Sequence, residues 1–383
     1  MTSQASHLYF DLNIYNYDPD GSTPEKMLNY IQINPQDFIE DPSQYYLSII
    51  RFSIENFLPV FIPQIQLGQP DINLTIYEIT MTYQCQGYSF KYSVNIEYES
   101  LNPTYMPNVP TTAQDYSSPY YYVYTYQQFI DTVNAHLQAC MLDLVLTVQS
   151  QQPAGTNLPV PNTDNSPFIV FDPSSYMCQF NADQQFFDEA IIDTTTVPAM
   201  RVYFNSPLMK LFRSFPAKFL GHTNSPQNWQ IMFYKTNNNT NVNPYDTYSA
   251  ITMYQEYSSI PLWNPVQSIV FVSDYLHITP TQTGIPELNQ SLVSSGNNAN
   301  MLNVLTDFQV QLTNTNLYNP IVYFAAVNPE ERMIDLRTTQ PMNTVDIKAY
   351  WRTPFNDSVP LFLHSNSSAS IKLLFRHKRF NSG

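Results

Sequence analysis

The alternation of apolar and polar positions predicts strands at both ends of the chain. Tyr88–Tyr98 is the cleanest run. Tyr88, Phe90, Tyr92, Val94, Ile96 and Tyr98 fall on one face, and Ser89, Lys91, Ser93, Asn95 and Glu97 on the other. That period of two is the mark of a half-buried strand. Ile72–Tyr83 precedes it, and Gln84-Cys85-Gln86-Gly87 between the two runs is a hairpin signal, with Gly87 free to take the positive φ of a tight turn. His7–Tyr17 reads as a strand. Tyr45–Ile54 carries Leu47 and Ile49 and also Ile50, Phe52 and Ile54, which predicts a strand buried on both faces. From about Val266 the runs return, at Ser268–Val272, Val304–Leu312, Ile321–Ala326, Met333–Leu336, Val345–Trp351, Pro360–Leu363 and Ser370–Phe375.

The middle of the chain reads differently. Residues 99–118 are rich in Pro. A Tyr-rich strand is expected at Tyr120–Tyr124. Thr125-Tyr126-Gln127-Gln128 then forms a capping box, with Thr125 as N-cap and Gln128 at the third helical position. Tyr126, Phe129, Ile130, Val133, Leu137, Cys140 and Met141 recur at helical spacing behind it. A short helix is expected at Pro207–Ser214, with Ser206 as cap and Pro207 at its first position. About three strands before residue 100 and about five after residue 265 make up the eight of a jelly roll. The expected fold class is therefore all-β, a jelly-roll β-sandwich with a large inserted second domain. The boundaries read from the sequence are a roll over 1–100 and 263–383, and an insertion over 101–262.

Composition sharpens this. Among 383 residues only 12% are charged, with Lys+Arg 16 against Asp+Glu 31, a net charge of −15. Wrapping nucleic acid needs a cationic footprint that such a surface lacks. There are 8 Gly and 30 Pro. Phosphate-cradling loops need Gly, so nucleotide-binding enzymes are disfavoured. No G-x-S-x-G, G-x-x-x-x-G-K-[ST], H-E-x-x-H or G-x-G-x-x-G occurs. Cys85, Cys140 and Cys178 are far apart, which reads as free thiols rather than a disulfide framework. The first residues carry neither a basic nor an apolar signal region, and no apolar stretch reaches membrane-spanning length.

Each candidate for chemistry has a plainer reading beside it. His136-x-x-x-Cys140 places two metal-ligand types on one helical face without a third, so packing is the expectation. Asp188-Glu189 and Glu330-Glu331 are carboxylate pairs without a partnering His or Lys, and read as solvated loop charge. The Tyr120–Tyr126 run suits an interface or core better than a stacking groove, since no Lys or Arg is interleaved with it. The expectation is no catalytic residue, no metal and no cofactor. One anomaly of charge remains. Lys372, Arg376, Lys378 and Arg379 lie close together, and no acid follows Asp357. They form a candidate basic contact end, which reads either as a solvated tail or as a surface for an acidic partner.

Five segments, in order, carry a family resemblance. They are Tyr46–Ile54 with Leu58–Pro63, Tyr124–Asn134, Tyr203–Leu208, Glu331–Leu336 and Ala369–Arg376. Together they resemble the penton-type minor capsid proteins of Sputnik-like virophages. The resemblance implies a virion structural protein with a jelly roll, a homopentamer at the icosahedral five-fold vertices beside the major capsid protein. It has no catalytic residues to carry over. Such a protein is made in the host cytoplasm and not secreted. The basic end then becomes a candidate for inner-side contact with genome or membrane, and the insertion a candidate for host-surface contact. Three other readings stay open: a trimeric double-jelly-roll major capsid protein, a carbohydrate-binding or host-attachment module, and a jelly-roll enzyme of the cupin type, which would need clustered His and Glu ligands.

Overall fold

The computed structural model describes residues 6–17, 19, 25–55, 74–97, 126–190, 194–221, 228–234, 240–242, 249–263, 266–278, 287–288, 303–309, 321–325, 332–352, 357–364 and 366–380. They fall into two compact units. The first takes its described residues from 1–59 and 265–383, the second from 60–101 and 119–264.

The first unit is a jelly roll. Its eight main strands, in chain order, are His7–Tyr15, Asn29–Ile33, Tyr45–Glu55, Ser268–Val272, Val304–Gln309, Ile321–Ala325, Thr344–Arg352 and Ser368–His377. The first, eighth, third and sixth form one antiparallel sheet. The second, seventh, fourth and fifth form the other. Phe52 of the first sheet joins the two layers. Its ring lies 5.1 Å from Phe271 and 5.0 Å from Phe308 of the second sheet, and 5.8 Å from Phe324 of its own.

Tyr45–Glu55 departs from its expected pattern. The pairing with the eighth strand skips Ile50, since Lys372 faces Arg51 and Leu373 faces Ile49. One extra residue reverses the parity of the strand. Leu47 and Ile49 before the irregularity, and Phe52 and Ile54 after it, are therefore all buried, while Arg51 between them is exposed. What reads in sequence as two apolar faces is one face interrupted by a bulge.

A buried carboxylate fixes the turn after the fourth strand. Asp346 is fully buried. It accepts hydrogen bonds from the Ser273 hydroxyl, the Asp274 N–H at 2.7 Å and the Tyr275 N–H at 3.1 Å. The Ser273 oxygen in turn accepts the Leu276 N–H at 2.9 Å. Three donors offset the cost of taking the carboxylate out of water.

The second unit holds two sheets and the long helix. One sheet orders Ala217–Phe219, Trp229–Ile231, Ala199–Phe204, Leu74–Cys85 and Tyr88–Glu97; the other orders Thr240–Val242, Ser249–Tyr254, Met177–Asp183 and Phe168–Asp172. This corrects the boundary at residue 100. Leu74–Cys85 pairs with Ala199–Phe204 as well as with Tyr88–Glu97, so both hairpin strands belong to the second unit and not to the roll. The hairpin turn itself is as read, with positive φ at Gln86 and Gly87.

The helix spans Tyr126–Gln151 and buries every residue of its expected stripe, then continues it with Leu144, Val145 and Val148. Thr125, the expected cap, and the Tyr120–Tyr124 strand lie outside the described residues. The helix also meets one edge strand of each sheet. Asn134 mimics a neighbouring strand: its amide donates to the Ile169 carbonyl at 2.8 Å and accepts the Ile169 N–H at 2.7 Å. At the other sheet, His136 Nε2 accepts the Glu97 N–H at 2.9 Å. Trp263 anchors the core beneath, with ring contacts to Tyr126, Phe129 and Phe212, and an indole N–H donated to the Leu211 carbonyl at 2.6 Å. The short helix is Ser206–Leu211, and its cap is Asn205, one residue before the expected Ser206. Asn205 accepts the Leu208 N–H at 3.1 Å and donates to the Ile76 carbonyl at 2.8 Å. The cap is chosen by this second bond, which ties it to the sheet.

Candidate assembly surface

The basic end is not a solvated tail. Ser368–His377 is an internal strand of the first roll sheet, between His7–Tyr15 and Tyr45–Glu55. Its alternation buries Ala369, Ile371, Leu373 and Phe375, and turns Ser370, Lys372 and Arg376 to the other face. Leu374 is on that second face by parity and is buried as well.

The cations meet acids of their own unit. Lys372 Nζ lies 3.2 Å from Asp11 Oδ2, and 5.5 Å from the centre of the Tyr9 ring. Asp11 Oδ1 lies 3.6 Å from Arg51. One carboxylate thus serves two cations across three strands. Lys378 pairs with Asp335, donates to the Ser43 carbonyl at 2.5 Å and sits 5.2 Å from the centre of the Tyr46 ring. Nearby, Asp41 is held below the usual carboxylate range, first by the Ser43 hydroxyl it accepts from and, least of its causes, by Lys378. Arg376 stands in register between His7 and Tyr46. Arg379 is exposed, and its backbone N–H caps His377 Nδ1 at 3.2 Å. The structure therefore places Lys372 and Arg376 on one face of this strand and Lys378 and Arg379 in the turn just beyond it, with Lys372 and Lys378 locally neutralised.

The same sheet exposes residues that were not singled out from the sequence. Tyr9 is 56% and Tyr15 50% exposed on one edge strand, and Tyr323 is 62% exposed on the opposite edge strand. The signal for the first two was present. The alternation of His7–Tyr15 puts His7, Tyr9, Asp11, Asn13 and Tyr15 on the exposed side.

Other candidates resolve to packing. Both nitrogens of His136 are occupied, Nδ1 by the Thr132 carbonyl at 2.8 Å and Nε2 by the Glu97 N–H. Cys140 is buried, and burial pushes its thiol up to about 12. The Cys178 thiol is raised to about 12 by burial too. Among the described residues no group of three or more metal-ligand types converges, and no helix is long and apolar enough to cross a membrane. Glu189 is not a solvated loop charge. It lies 3.5 Å from Arg201 and accepts from the Gln230 amide at 2.6 Å. Glu330-Glu331 lies outside the described residues. The second unit is no second roll, since its sheets lack the interleaved strand order of the first.

Comparison with known proteins fits this surface to a class. The family model for the Sputnik minor capsid protein V18/19 matches residues 8–377. In Sputnik virophage, the uncharacterized protein V18 is 32% identical over 31% of this chain and 73% of its own length. The structural protein V19 is 28% identical over 49% of this chain and 86% of its own. Among solved structures, a chain of the Sputnik virophage, determined by cryo-EM, superposes with a TM-score of 0.68 at 24% identity, covering 99% of this chain and 100% of that one. The mavirus penton protein does so with a TM-score of 0.58 at 15% identity, covering 97% and 99%. These likenesses confirm the jelly roll, and the family match carries the function: the chain belongs to the Sputnik minor capsid protein family and is a structural protein of the virion.

Proposed function

We propose that this minor capsid protein is a penton. Five copies close a ring at each five-fold vertex of the capsid beside the surrounding major capsid protein, and the roll forms the ring. The observation that carries this reading is the topology. Among the described residues, the eight strands of the roll are interrupted between the third and the fourth by a unit with its own core. An insertion in one connection leaves the roll free to pack laterally. Sedimentation or native mass measurement of the purified full chain tests it. A stoichiometry of five supports the penton. A stoichiometry of three points instead to a major capsid protein, and a monomer that binds glycan to an attachment module.

The protein works by assembly and not by turnover, and needs no metal or cofactor. The basic end contributes a salt-sensitive contact to an acidic neighbour through Arg379, its exposed charge. Replacing Lys372, Arg376, Lys378 and Arg379 with Gln leaves the pentamer folded and weakens incorporation into the vertex at physiological salt. Normal incorporation reduces these residues to intramolecular pairs. Binding of the wild-type basic end to DNA or to anionic vesicles, lost in the variant, identifies an inner-side partner instead.

A further inference from the structure

We infer that the two edges of the first roll sheet are complementary halves of one head-to-tail contact between copies of this chain. The His7–Tyr15 edge of one copy seats against the Ile321–Ala325 edge of the next. This rests on the ring proposed above, and names the surface that closes it.

An exposed sheet edge is a site for association unless something covers it. Among the described residues, His7–Tyr15 pairs only with Ser368–His377, and Ile321–Ala325 only with Tyr45–Glu55. These are the two ends of one sheet, so they face opposite ways. Both carry large exposed Tyr side chains, Tyr9 and Tyr15 on one and Tyr323 on the other. Tyr combines wide apolar area with a polar tip, the residue character that protein interfaces favour.

Charge distinguishes the two edges. One row across the sheet reads Asp11, Lys372, Arg51, Ala325. At the first edge it presents a half-exposed carboxylate. At the second, the short Ala325 side chain leaves Arg51 45% exposed. Within one copy Asp11 is shared by Lys372 and Arg51, and Asp11 and Arg51 each stay about half exposed. In the ring the exposed side of Asp11 therefore reaches the exposed side of the next copy's Arg51 without giving up its own partners. The adjoining row reads Asn13, Ser370, Ser53, Tyr323, and sets Tyr323 at the level of Asn13.

The alternative of each edge meeting itself is disfavoured. Asp11 is the middle residue of its nine-residue strand. A two-fold pairing of that edge would place two carboxylates opposite each other and leave the second edge bare. A head-to-tail contact uses both edges, and closes into a ring by rotation.

The test uses the full chain. Tyr15→Glu alters the first edge and Tyr323→Glu the second. Each variant alone should be monomeric at a concentration where the wild type is pentameric. An equimolar mixture should form dimers, because one wild-type pair of edges survives in it. A two-fold contact gives no such complementation. Separately, Asn13→Cys with Tyr323→Cys in one chain should give, on oxidation, a ladder that stops at a closed pentamer. Cys85, Cys140 and Cys178 are buried and leave the engineered pair to react alone. If circular dichroism shows a Glu variant unfolded, the Cys pair decides. A wild-type pentamer that survives both Glu variants and shows no ladder overturns this inference and leaves the penton intact. So do variants that stay pentameric but fail to enter virions, since the edges then serve another capsid protein. A wild type that is not pentameric overturns both.

Discussion

One edge of each second-unit sheet and the edges of the first roll sheet are finished differently. In the second unit the long helix supplies what a further strand would. Asn134 takes both backbone groups of Ile169, and His136 takes the Glu97 N–H. In the first roll sheet the edge strands carry exposed Tyr9, Tyr15 and Tyr323. An edge capped by its own helix needs no partner there; among the described residues the two edges of the first roll sheet have no such cap. The difference supports the proposal that copies assemble through the roll.

The sharpest way to break that contrast is to empty each core in turn. Phe52→Ala in the roll and Trp263→Ala in the second unit should each cost about 3–5 kcal/mol, the range for large aromatic truncations. Segment-resolved hydrogen exchange during denaturation should show each variant opening its own unit first. Loss of protection in both units together would show that neither is self-sufficient. Next in size is Asp346→Ala, which strands the Ser273 hydroxyl and two N–H groups and should cost about 3 kcal/mol or more by urea denaturation. Asp346→Asn keeps one acceptor and should recover part of it. Asn134→Ala should cost about 1–3 kcal/mol, since it leaves two buried backbone groups of Ile169 without a partner. Its readout is faster amide exchange at Ile169, and new self-association through the uncovered edge. Smallest is Lys378→Gln. Both members of its pair with Asp335 are partly exposed, so it should shift stability by no more than about 1 kcal/mol, and less in high salt.

Much of this was legible in the residues, and what was not has a common cause. Alternation reveals which face of a strand is buried, but not which strand lies beside it. The Gln84–Gly87 turn was readable because its signal is local. The membership of Tyr88–Glu97 was not, because it is decided through Leu74–Cys85 by Ala199–Phe204. The double-faced pattern at Tyr45–Glu55 came from a bulge, which only the pairing with Lys372 and Leu373 exposes. Charge behaves likewise. Lys372 stood out as basic, but its partner Asp11 is at the far end of the chain. Glu189 read as loop charge because Arg201 and Gln230 reach it only in three dimensions. The exposed tyrosines of His7–Tyr15 were within reach of the pattern. Their importance needed the sheet order, which makes that strand an edge.

That sheet order also sets a timetable for synthesis. The first and third roll strands emerge early from the ribosome but share no direct pairing; both are joined through Ser368–His377, the last of the eight to be made. All of the second unit is translated in between and can collapse while the early roll strands wait. Pairings this distant in sequence are slow to form. A nascent chain released before Ser368 keeps the pairing of Tyr45–Glu55 with Ile321–Ala325 but leaves His7–Tyr15 without its partner strand. The order of strands thus makes the His7–Tyr15 edge the part of the sheet that depends on the last roll strand to be made.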